Sequence, residues 1–561
     1  MKKYIGMIGL IIVIICSIPL VIPLFHEGYF PVHDDTQIAR VEEMAEALSY
    51  GQFPVRWVGD LGYGYGYPIF NFYSPLPYYV GGLCVMLGFS GLWATKIMFG
   101  LGVFLSGITM FFLGKKVWGI EGGVLAAILY QYAPYHAVNI YIRGAVGEYW
   151  AIGWLPLVFL GIVGLLGNVG KERKILYVLV GAIGYAGVIL SHNIIAMLLS
   201  GFLVPFLVYE GYVFRKQMKS GYIVLLGLGL SAFFWLPAIV EMKYTQVDKI
   251  IGGAADVRNH FVFIDQLWNS PWGFAGSAPG REDGMSFKIG KLHLLLGLWG
   301  TWAMMGWRPW RKNTLLHGWM AGWLVVFMLI CSVYMTTKYS EWVWDMIPAL
   351  AFVQFPWRFL VFIIFALSLL AGGAMGIVHD WSRWVVLGGI CSGILWFNMT
   401  YFQPQEYYMI DEEIYQSDTY VKWRTSKISD EYLPKEFPVP DTELSVPASP
   451  FTSIYADSIV VQTNSPSQKK ATVISSYPTD VFVNIAYFPG WYVLLDGIKV
   501  HHVVENGIMM VAIPAGRHVV EAVFGNTPVR LIGNIISVLS IALVFGTIIH
   551  TKNRYGKKNI S

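Results

Sequence analysis

Charged side chains are scarce in this 561-residue chain, at 13% of all residues, whereas soluble globular proteins carry about 25%. Hydrophobic residues make up 55% of the chain, and the mean hydropathy is +0.54. This shortage of charge excludes an ordinary soluble enzyme and predicts an integral membrane protein. The formal net charge is only +4, and the basic residues form thin flanks beside apolar runs, so no nucleic-acid partner is expected.

Cysteine and nucleotide-binding motifs are also sparse. The four cysteines, Cys16, Cys84, Cys331 and Cys391, each lie in an apolar stretch, and none forms a CxxC pair. Disulfides and cysteine-based metal sites are therefore not expected. No GxxxxGK[ST] loop occurs, so the chain is not expected to use a nucleoside triphosphate.

The sequence contains many long apolar runs. The first run, 4–25, follows two lysines, exceeds the apolar core of a signal peptide and precedes no A-x-A cleavage site, so we interpret it as a retained span. About twelve such spans are predicted, which is an α-helical polytopic membrane fold. The other predicted spans are 93–114, 118–137, 149–168, 175–191, 194–214, 221–239, 291–307, 314–334, 356–378, 384–402 and 530–550.

The distribution of basic residues predicts the orientation. Nearly half of the 39 Lys and Arg fall in the short segments that alternating spans place on one side, so that side is predicted to be cytoplasmic, with both termini. The segments are 1–3, 115–117, 169–174, 215–220, 308–313, 379–383 and 551–561. The alternation holds only if the apolar stretch 76–92 is not a span. Its glycines and flanking prolines favour an interfacial or re-entrant hairpin.

The predicted outer side carries most of the non-membrane mass. We expect a transmembrane domain over 1–402, with outer loops 26–92 and 240–290. Residues 403–529 are expected to form an extracytoplasmic domain, because alternating segments such as VFVNIAYF and WYVLLDGIKV are typical of short strands joined by turns. This predicts a β-rich, sandwich-like domain. Residues 530–561 then form a last span and a basic cytoplasmic tail.

Two adjacent carboxylates, Asp34 and Asp35, stand just after the first span. An amphipathic helix follows them, with Ile38 and Val41 at helical spacing, and Asp35 could simply cap this helix, which is expected to begin near Thr36. A single residue suffices for a cap, and paired carboxylates at a membrane surface commonly share a proton, a cation or a metal. His33 is either a ligand beside them or an ordinary surface residue.

The same loop is rich in aromatic residues. Tyr63, Tyr65, Tyr67 and Tyr73 follow the amphipathic helix within a Gly-Tyr run and its continuation. Tyrosines are enriched at membrane interfaces, so these residues could form only an aromatic belt. Stacking against a sugar ring is the alternative.

The segment HDDTQIARVEEMAEALSYGQFPVRWVGDLGYGYGYPIFNFYSPLPYY resembles the first loop of a bacterial family named "6-pyruvoyl-tetrahydropterin synthase-related" membrane proteins, which is close to the YfhO-like proteins. LSHNIIAM, FVQFPWRFL and YFPGWYVLLDGIKV add to the resemblance. No pterin chemistry is expected, since the twelve histidines form no His-x-His cluster. The family in turn is similar to the GT-C superfamily of polytopic glycosyltransferases.

That resemblance implies a site in the first outer loop. Asp34 and Asp35 stand where GT-C proteins place an acidic motif, so one of them, Asp34 first, would be the general base for an acceptor hydroxyl. The pair could instead help to hold a divalent cation, Mg²⁺ or Mn²⁺. A clear second acidic motif is missing, and Glu148, with Arg143 beside it, is the best substitute.

A lipid-linked sugar donor would also need cations near its phosphate. Arg143 and Arg358 are the candidates, with Arg56 and Lys243 as further ones. Arg358 could equally be an interfacial anchor beside a tryptophan. His192 and Asn193, where two spans meet, could bind substrate or could form a polar contact between helices.

The resemblance implies a glycosyltransferase that moves a sugar from a polyprenyl-phosphate donor, such as an undecaprenyl-linked sugar, to a cell-envelope glycan, lipid or protein. It would act on the outer face of the bacterial cytoplasmic membrane. A flippase or transporter of lipid-linked precursors is one alternative, although no inverted repeat is evident. A non-catalytic scaffold for envelope assembly is the other.

Overall fold

The computed structural model describes residues 2–213, 218–306, 316–409 and 411–558. Two of the basic segments that predict the orientation lie wholly or partly outside these residues, at 214–217 and 307–315, as does the end of the basic tail at 559–561. Within the described ranges, the chain alternates between long apolar helices and polar loops, and the β-strands follow in the last fifth.

Nine helices in the described residues are long and apolar enough to cross a membrane. They are Tyr4–Phe25, Gly91–Gln131, Val146–Leu166, Lys171–Ser191, Asn193–Val213, Gly221–Tyr244, Pro356–Gly376, Arg383–Tyr401 and Pro528–Lys552. A bent pair, Gly322–Thr336 and Lys338–Met346, would make a tenth span if it counts as one. The helix Lys291–Gly306 is shorter. The chain is therefore a multi-pass membrane protein.

The longest of these helices, Gly91–Gln131, reverses direction at Gly119. Gly119 has φ of +88° and ψ of −175°, which is not helical. A Cβ added at Gly114 would lie 2.9 Å from the Cα of Gly123, whereas nine residues of a straight helix extend about 13 Å. The segment therefore contains two antiparallel limbs, as the two predicted spans 93–114 and 118–137 require. The total of about twelve spans stays a prediction.

Small residues let neighbouring helices approach closely. The helices Val146–Leu166 and Lys171–Ser191 pack along much of their length. At their crossing, a Cβ on Gly161 would lie 2.5 Å from the Cα of Gly181. Close backbone approach of this kind is a common way for helices to associate in a bilayer, where no hydrophobic driving force acts between them.

The first loop forms three short helices, one of which, Ile69–Phe72, is a single turn. The first-loop helix, Gln37–Ser49, is amphipathic as predicted, and its N-cap residue is Thr36, which makes no side-chain capping bond. The alternative that Asp35 caps this helix is therefore wrong. The apolar stretch after it forms an 11-residue helix, Leu76–Met86, which extends only about 16 Å and is too short to span a membrane.

The C-terminal β-domain is a sandwich of two antiparallel sheets, as the alternating pattern predicts. Their strand orders are β1-β4-β8-β7 and β2-β3-β9-β5-β6. Buried side chains of both sheets, such as Val473 and Val520 of one and Val483 and Val511 of the other, belong to the hydrophobic core. The strands are β1 Phe451–Thr452, β2 Ser458–Ser465, β3 Gln468–Ser475, β4 Thr479–Ala486, β5 Trp491–Leu495, β6 Ile498–Val500, β7 Val503–Glu505, β8 Ile508–Ile513 and β9 Gly516–Phe524.

A buried polar network, here called the junction network, joins the β-domain to the helices. Glu241, at the end of one membrane helix, accepts bonds from Arg530 Nε at 2.9 Å, Thr527 Oγ1 at 2.6 Å and Asn71 Nδ2 at 2.8 Å. Arg530 also donates to the Pro489 carbonyl oxygen at 2.8 Å. The network thus connects the first loop, the helix Gly221–Glu241 and the start of the last helix, and it holds the β-domain against them.

Candidate active site

Several helix ends, together with the segment 428–432 that precedes the β-strands, enclose a polar cavity of about 300 Å³. Every segment that lines it belongs to a loop or helix end that the charge distribution predicts to be on the outer side. The lining residues are Asp34, Thr36, Arg40, Tyr73, Ser74, Arg143, Ala145, Glu148, Ser191, His192, Asn193, Ile194, Ile250, Gln354, Arg358, Ile428, Ser429, Glu431 and Tyr432. We call this space the polar cavity.

Asp34 is placed in the polar cavity by its backbone. The Asp34 N–H donates to the Arg143 carbonyl oxygen at 2.9 Å, and the His33 N–H donates to Ile142 at 3.0 Å. Gly144, which follows Arg143, has φ of +66°. A Cβ added at Gly144 would lie only 2.9 Å from the Cβ of Val32, so a larger residue would disturb this contact. Within the described residues, the Asp34 carboxylate accepts no hydrogen bond. The carboxylate is half-buried. Because it has no such partner among the residues described, it is available to a ligand.

Glu148 has two arginine partners. Arg143 Nη1 donates to Glu148 Oε2 at 2.9 Å, and Arg358 Nε lies 3.7 Å from the same oxygen. Tyr135 donates its hydroxyl proton to Oε1 at 2.5 Å. Glu148 is completely buried, whereas the two arginines remain 7–8% exposed, toward the cavity that they line. We call Arg143, Glu148 and Arg358 the charge triad.

The two arginines are held in fixed orientations. The Arg143 guanidinium lies over the Trp357 ring, 4.5 Å from its centroid. Arg358 Nη1 donates to the Val353 carbonyl oxygen at 2.6 Å. Among the described residues, no acceptor binds Nη2 of either arginine. One guanidinium edge of each is therefore left to bind an anion inside the polar cavity.

His192 and Asn193 lie at the break between two membrane helices. The Ile195 N–H donates to His192 Nδ1 at 3.2 Å, which leaves Nε2 as the outer edge of a ring that lines the cavity. Asn193 Nδ2 donates to the Phe72 carbonyl oxygen at 2.8 Å, and Ser74 donates to its Oδ1 at 2.8 Å. Asn193 therefore connects the helix break to the first loop rather than to another membrane helix.

One wall of the cavity comes from two residues that the sequence reasoning did not select, Arg40 and Glu431. Arg40 Nη2 donates to Ser429 Oγ at 2.8 Å, and the Ser429 hydroxyl donates in turn to Glu431, 3.0 Å from Oε2. The Arg40 guanidinium also lies 4.4 Å from the centroid of the Tyr73 ring. Burial raises the pKa of Glu431, while the nearby Arg40 lowers it.

Asp35 and His33 do not line the polar cavity. Asp35 faces a cluster of tyrosines that includes Tyr29 and Tyr408, and the Tyr420 hydroxyl donates to the Asp35 carbonyl oxygen at 3.4 Å. Burial raises the pKa of Asp35. His33 is exposed, and its Nε2 lies 2.9 Å from the Phe274 carbonyl oxygen. The two adjacent aspartates thus have different surroundings, and only Asp34 faces the other candidate residues.

The aromatic residues of the first loop divide in the same way. Tyr73 lines the polar cavity. Tyr63 and Tyr67 are buried against the segment that leads to the β-domain, where the Tyr63 N–H donates to Ser426 and the Tyr67 hydroxyl accepts from the Tyr432 N–H. Tyr65 packs its ring against Phe437 at 4.9 Å. These three tyrosines bind the β-domain segment rather than an open sugar site.

The described residues hold one group of three potential metal ligands within 4.8 Å of one another, and it lies outside the polar cavity. It consists of Glu43, Glu46 and Asp60, and Lys422 Nζ lies 3.8 Å from Asp60. Burial raises the pKa of Glu43 well above its usual range, and the neighbouring carboxylates raise it further. Through Lys422, this acidic group contacts the segment that precedes the β-strands.

An apolar cavity of about 420 Å³ adjoins the polar one. It lies among the helices Lys171–Ser191, Asn193–Val213 and Gly221–Glu241, and side chains such as Met197, Phe234 and Trp235 line it. The two cavities share four lining residues, Asn193, Ile194, Ile250 and Tyr432. A ligand with a charged head and an apolar tail could occupy both at once.

Comparisons with known proteins agree with the family resemblance. Residues 70–253 match the family described as "6-pyruvoyl-tetrahydropterin synthase related domain; membrane protein". An uncharacterized protein of Lactococcus lactis subsp. cremoris is 27% identical over 249 residues, which are 42% of this chain and 39% of that protein.

The chain is also similar to solved structures at low sequence identity. The apo crystal structure of the Archaeoglobus fulgidus oligosaccharyltransferase aligns with a TM-score of 0.50 at 13% identity, over 81% of this chain and 62% of that one. The mycobacterial arabinofuranosyltransferase AftD aligns with a TM-score of 0.47 at 12% identity, over 73% and 28%. The chain thus spans less than two thirds of the length of these proteins. Its fold is similar to that of the Archaeoglobus fulgidus oligosaccharyltransferase, and its residues 70–253 are similar to the 6-pyruvoyl-tetrahydropterin synthase-related membrane family.

Proposed function

We propose that the chain is a membrane glycosyltransferase that uses a lipid-linked sugar donor. One observation carries the proposal: Asp34, whose carboxylate has no hydrogen-bond partner among the described residues, shares a cavity with two anchored arginines, and that cavity continues into an apolar one among membrane helices. A polyprenyl-phosphate sugar has the matching order of parts, namely a sugar, a phosphate and an apolar chain.

The donor would lie across both cavities. Nη2 of Arg143 and Nη2 of Arg358 would bind the phosphate, since guanidinium groups bind phosphate oxygens through charged hydrogen bonds. The first isoprene units would extend past Ile194 into the apolar cavity. The sugar would then lie in the polar cavity, between the phosphate and Asp34.

Asp34 would be the general base. It removes the proton from an acceptor hydroxyl, and the acceptor oxygen forms its bond to the anomeric carbon as the bond to the phosphate oxygen breaks. The proton stays on Asp34, and the electron pair leaves with the lipid phosphate, whose charge the two arginines stabilise. A single displacement of this kind inverts the anomeric centre.

The residues do not fit a cation held by both aspartates. Asp35 faces tyrosines rather than the polar cavity, and within the described residues no third ligand joins it and Asp34. Mg²⁺ requires near-octahedral oxygen coordination. The positive charge that would stabilise the leaving phosphate is therefore assigned to the arginines, and no step is derived through a metal.

We place this reaction on the outer face of a bacterial cytoplasmic membrane, with both termini inside. The proposal rests on the concentration of Lys and Arg in the predicted cytoplasmic segments. The β-domain and the segment 403–450 would then face the cell envelope, where an acceptor glycan, lipid or protein is available. Residues 403–529 are proposed to act as one outer domain.

The test is transfer of label from a radiolabelled polyprenyl-phosphate sugar pool in membranes that contain wild type, Asp34→Asn or Asp35→Asn at matched expression. We expect transfer by wild type, loss of at least about a hundredfold in Asp34→Asn, and much smaller loss in Asp35→Asn. Equal transfer by wild type and Asp34→Asn would contradict the assignment of the base. No transfer in any sample would favour a scaffold or a transporter.

A further inference from the structure

Six charged side chains line the polar cavity, and five of them fall into two groups. Arg40 and Glu431 form one group, in which Ser429 bridges the two, so their charges cancel locally. Arg143, Arg358 and Glu148 form the charge triad. Asp34 stands opposite the triad, and it is close enough for its charge to act on both arginines.

Glu148 is poorly suited to proton transfer. Its Oε1 accepts bonds from Tyr135 and Asn139, and its Oε2 faces both arginines. The side chain is fully buried, so a substrate hydroxyl cannot reach an unoccupied lone pair without displacing one of these partners. The remaining contribution of Glu148 is its negative charge, which reduces the net charge of the charge triad from +2 to +1.

A net charge of +1 matches one kind of lipid-linked donor better than another. A phosphodiester between a lipid and a sugar carries one negative charge, whereas the corresponding diphosphate carries two. The monophosphate neutralises the triad. The second phosphate would bring an uncompensated charge into a low-dielectric cavity and would approach Asp34, which repels it.

We propose that Glu148 is a specificity-determining residue that sets the charge of the phosphate subsite and thereby selects a monophosphate-linked donor over a diphosphate-linked one. The inference deepens the proposed function and rests on it. It assigns Glu148 to donor selection, whereas the sequence reasoning treats this residue as a substitute for a second acidic motif.

The test uses two esters of equal tail length that carry no sugar, farnesyl methyl phosphate and farnesyl methyl diphosphate. Their dissociation constants are measured on the purified full chain in lipid nanodiscs. We expect wild type to bind the monophosphate ester more tightly, by about tenfold. Glu148→Gln raises the triad to +2 and should shift the ratio of the two constants about tenfold toward the diphosphate.

Charge restoration separates this effect from damage to the fold. Glu148→Gln combined with Arg358→Gln returns the triad to +1, so the preference for the monophosphate should return. Arg358→Gln alone should weaken binding of the diphosphate ester more than of the monophosphate ester. Glu210→Gln is the matched control, because Glu210 is a buried glutamate on the helix Asn193–Val213, 17 residues or about 25 Å along the axis from the cavity end.

The possible outcomes separate the two proposals. Tighter binding of the diphosphate by wild type, or an unchanged ratio in Glu148→Gln, would overturn the inference and leave the donor site standing. Binding of neither ester by wild type would overturn the phosphate site itself, and the inference with it. If Glu148→Gln does not fold, the wild-type ratio and the response of Arg358→Gln still decide between these results.

Discussion

The junction network provides the sharpest test of how the β-domain is held. In the junction network, Glu241 supplies the negative charge beside Arg530 and Arg56, whose other partners are neutral. Replacing Glu241 with glutamine removes that charge. Arg530 is completely buried and Arg56 is 3% exposed, so neither guanidinium can be hydrated without opening the junction. The glutamine keeps the shape of the side chain and can accept a bond from Thr527, but it leaves both charges uncompensated.

The magnitude follows from the burial of the pair. Removing one partner of a buried ion pair costs about 3–5 kcal/mol, because the remaining charge stays desolvated. In a protein of this size that cost should lower the apparent unfolding temperature by on the order of 5 °C. We also expect faster proteolytic release of the β-domain, since the junction network connects it to the helices.

The assay is thermal unfolding and limited proteolysis of the detergent-solubilised chain. Glu436→Gln is the control, because Glu436 is an exposed glutamate near the same domain. Combining Glu241→Gln with Arg530→Met should restore part of the loss, since the second substitution removes the stranded charge. Identical unfolding temperatures for Glu241→Gln and Glu436→Gln would refute the reasoning.

Of three further predictions, two concern the first loop and one concerns Gly144. Burial raises the pKa of Glu43, so the folded chain holds that proton more tightly than the unfolded chain; stability that is present at low pH should fall as the pH rises through the folded-state pKa. Glu43→Gln should remove much of this fall in unfolding temperature between pH 5 and 8, and an unchanged pH profile would contradict the assignment. Gly144→Ala should reduce transfer at least about tenfold by displacing Asp34, whereas Gly51→Ala, with similar φ of +78° and no atom within 4 Å of the added Cβ, should not. Trp57→Ala should cost about 3–5 kcal/mol and loosen the β-domain in the same proteolysis assay, because this fully buried indole packs against its aromatic core.

Much of the architecture follows from local patterns in the sequence. Apolar length and the positions of lysine and arginine predict most spans, and alternation with an Asp-Gly turn predicts the sandwich. The turn has the expected positive φ at Asp496, +52°, and at Gly497, +83°. The candidate residues Asp34, Glu148 and Arg358 meet in one cavity because each stands at a predicted outer end of a span.

The rest depends on contacts that no local pattern encodes. Arg40 and Ser429 are 389 positions apart, and their hydrogen bond exists only after the β-domain segment folds onto the first loop. The choice between Asp34 and Asp35 depends on backbone bonds to Ile142 and Arg143, which fix the direction of each side chain. The one sequence signal for this contact is Arg40 itself, a charged residue within an amphipathic helix. Arginine is almost never fully buried unless it is paired, and Arg40 is buried, so a partner elsewhere in the chain could have been expected.

The most direct measurement is native mass spectrometry of Asp34→Asn purified from its own membranes. If the two cavities hold a lipid-linked sugar and Asp34 is needed to consume it, this variant should retain a polyprenyl-phosphate sugar whose mass identifies the donor. Ala238→Phe, which fills the apolar cavity, should abolish that retention in the Asp34→Asn background. A variant that carries only bulk phospholipid, or that keeps the same lipid after the apolar cavity is filled, would contradict the account.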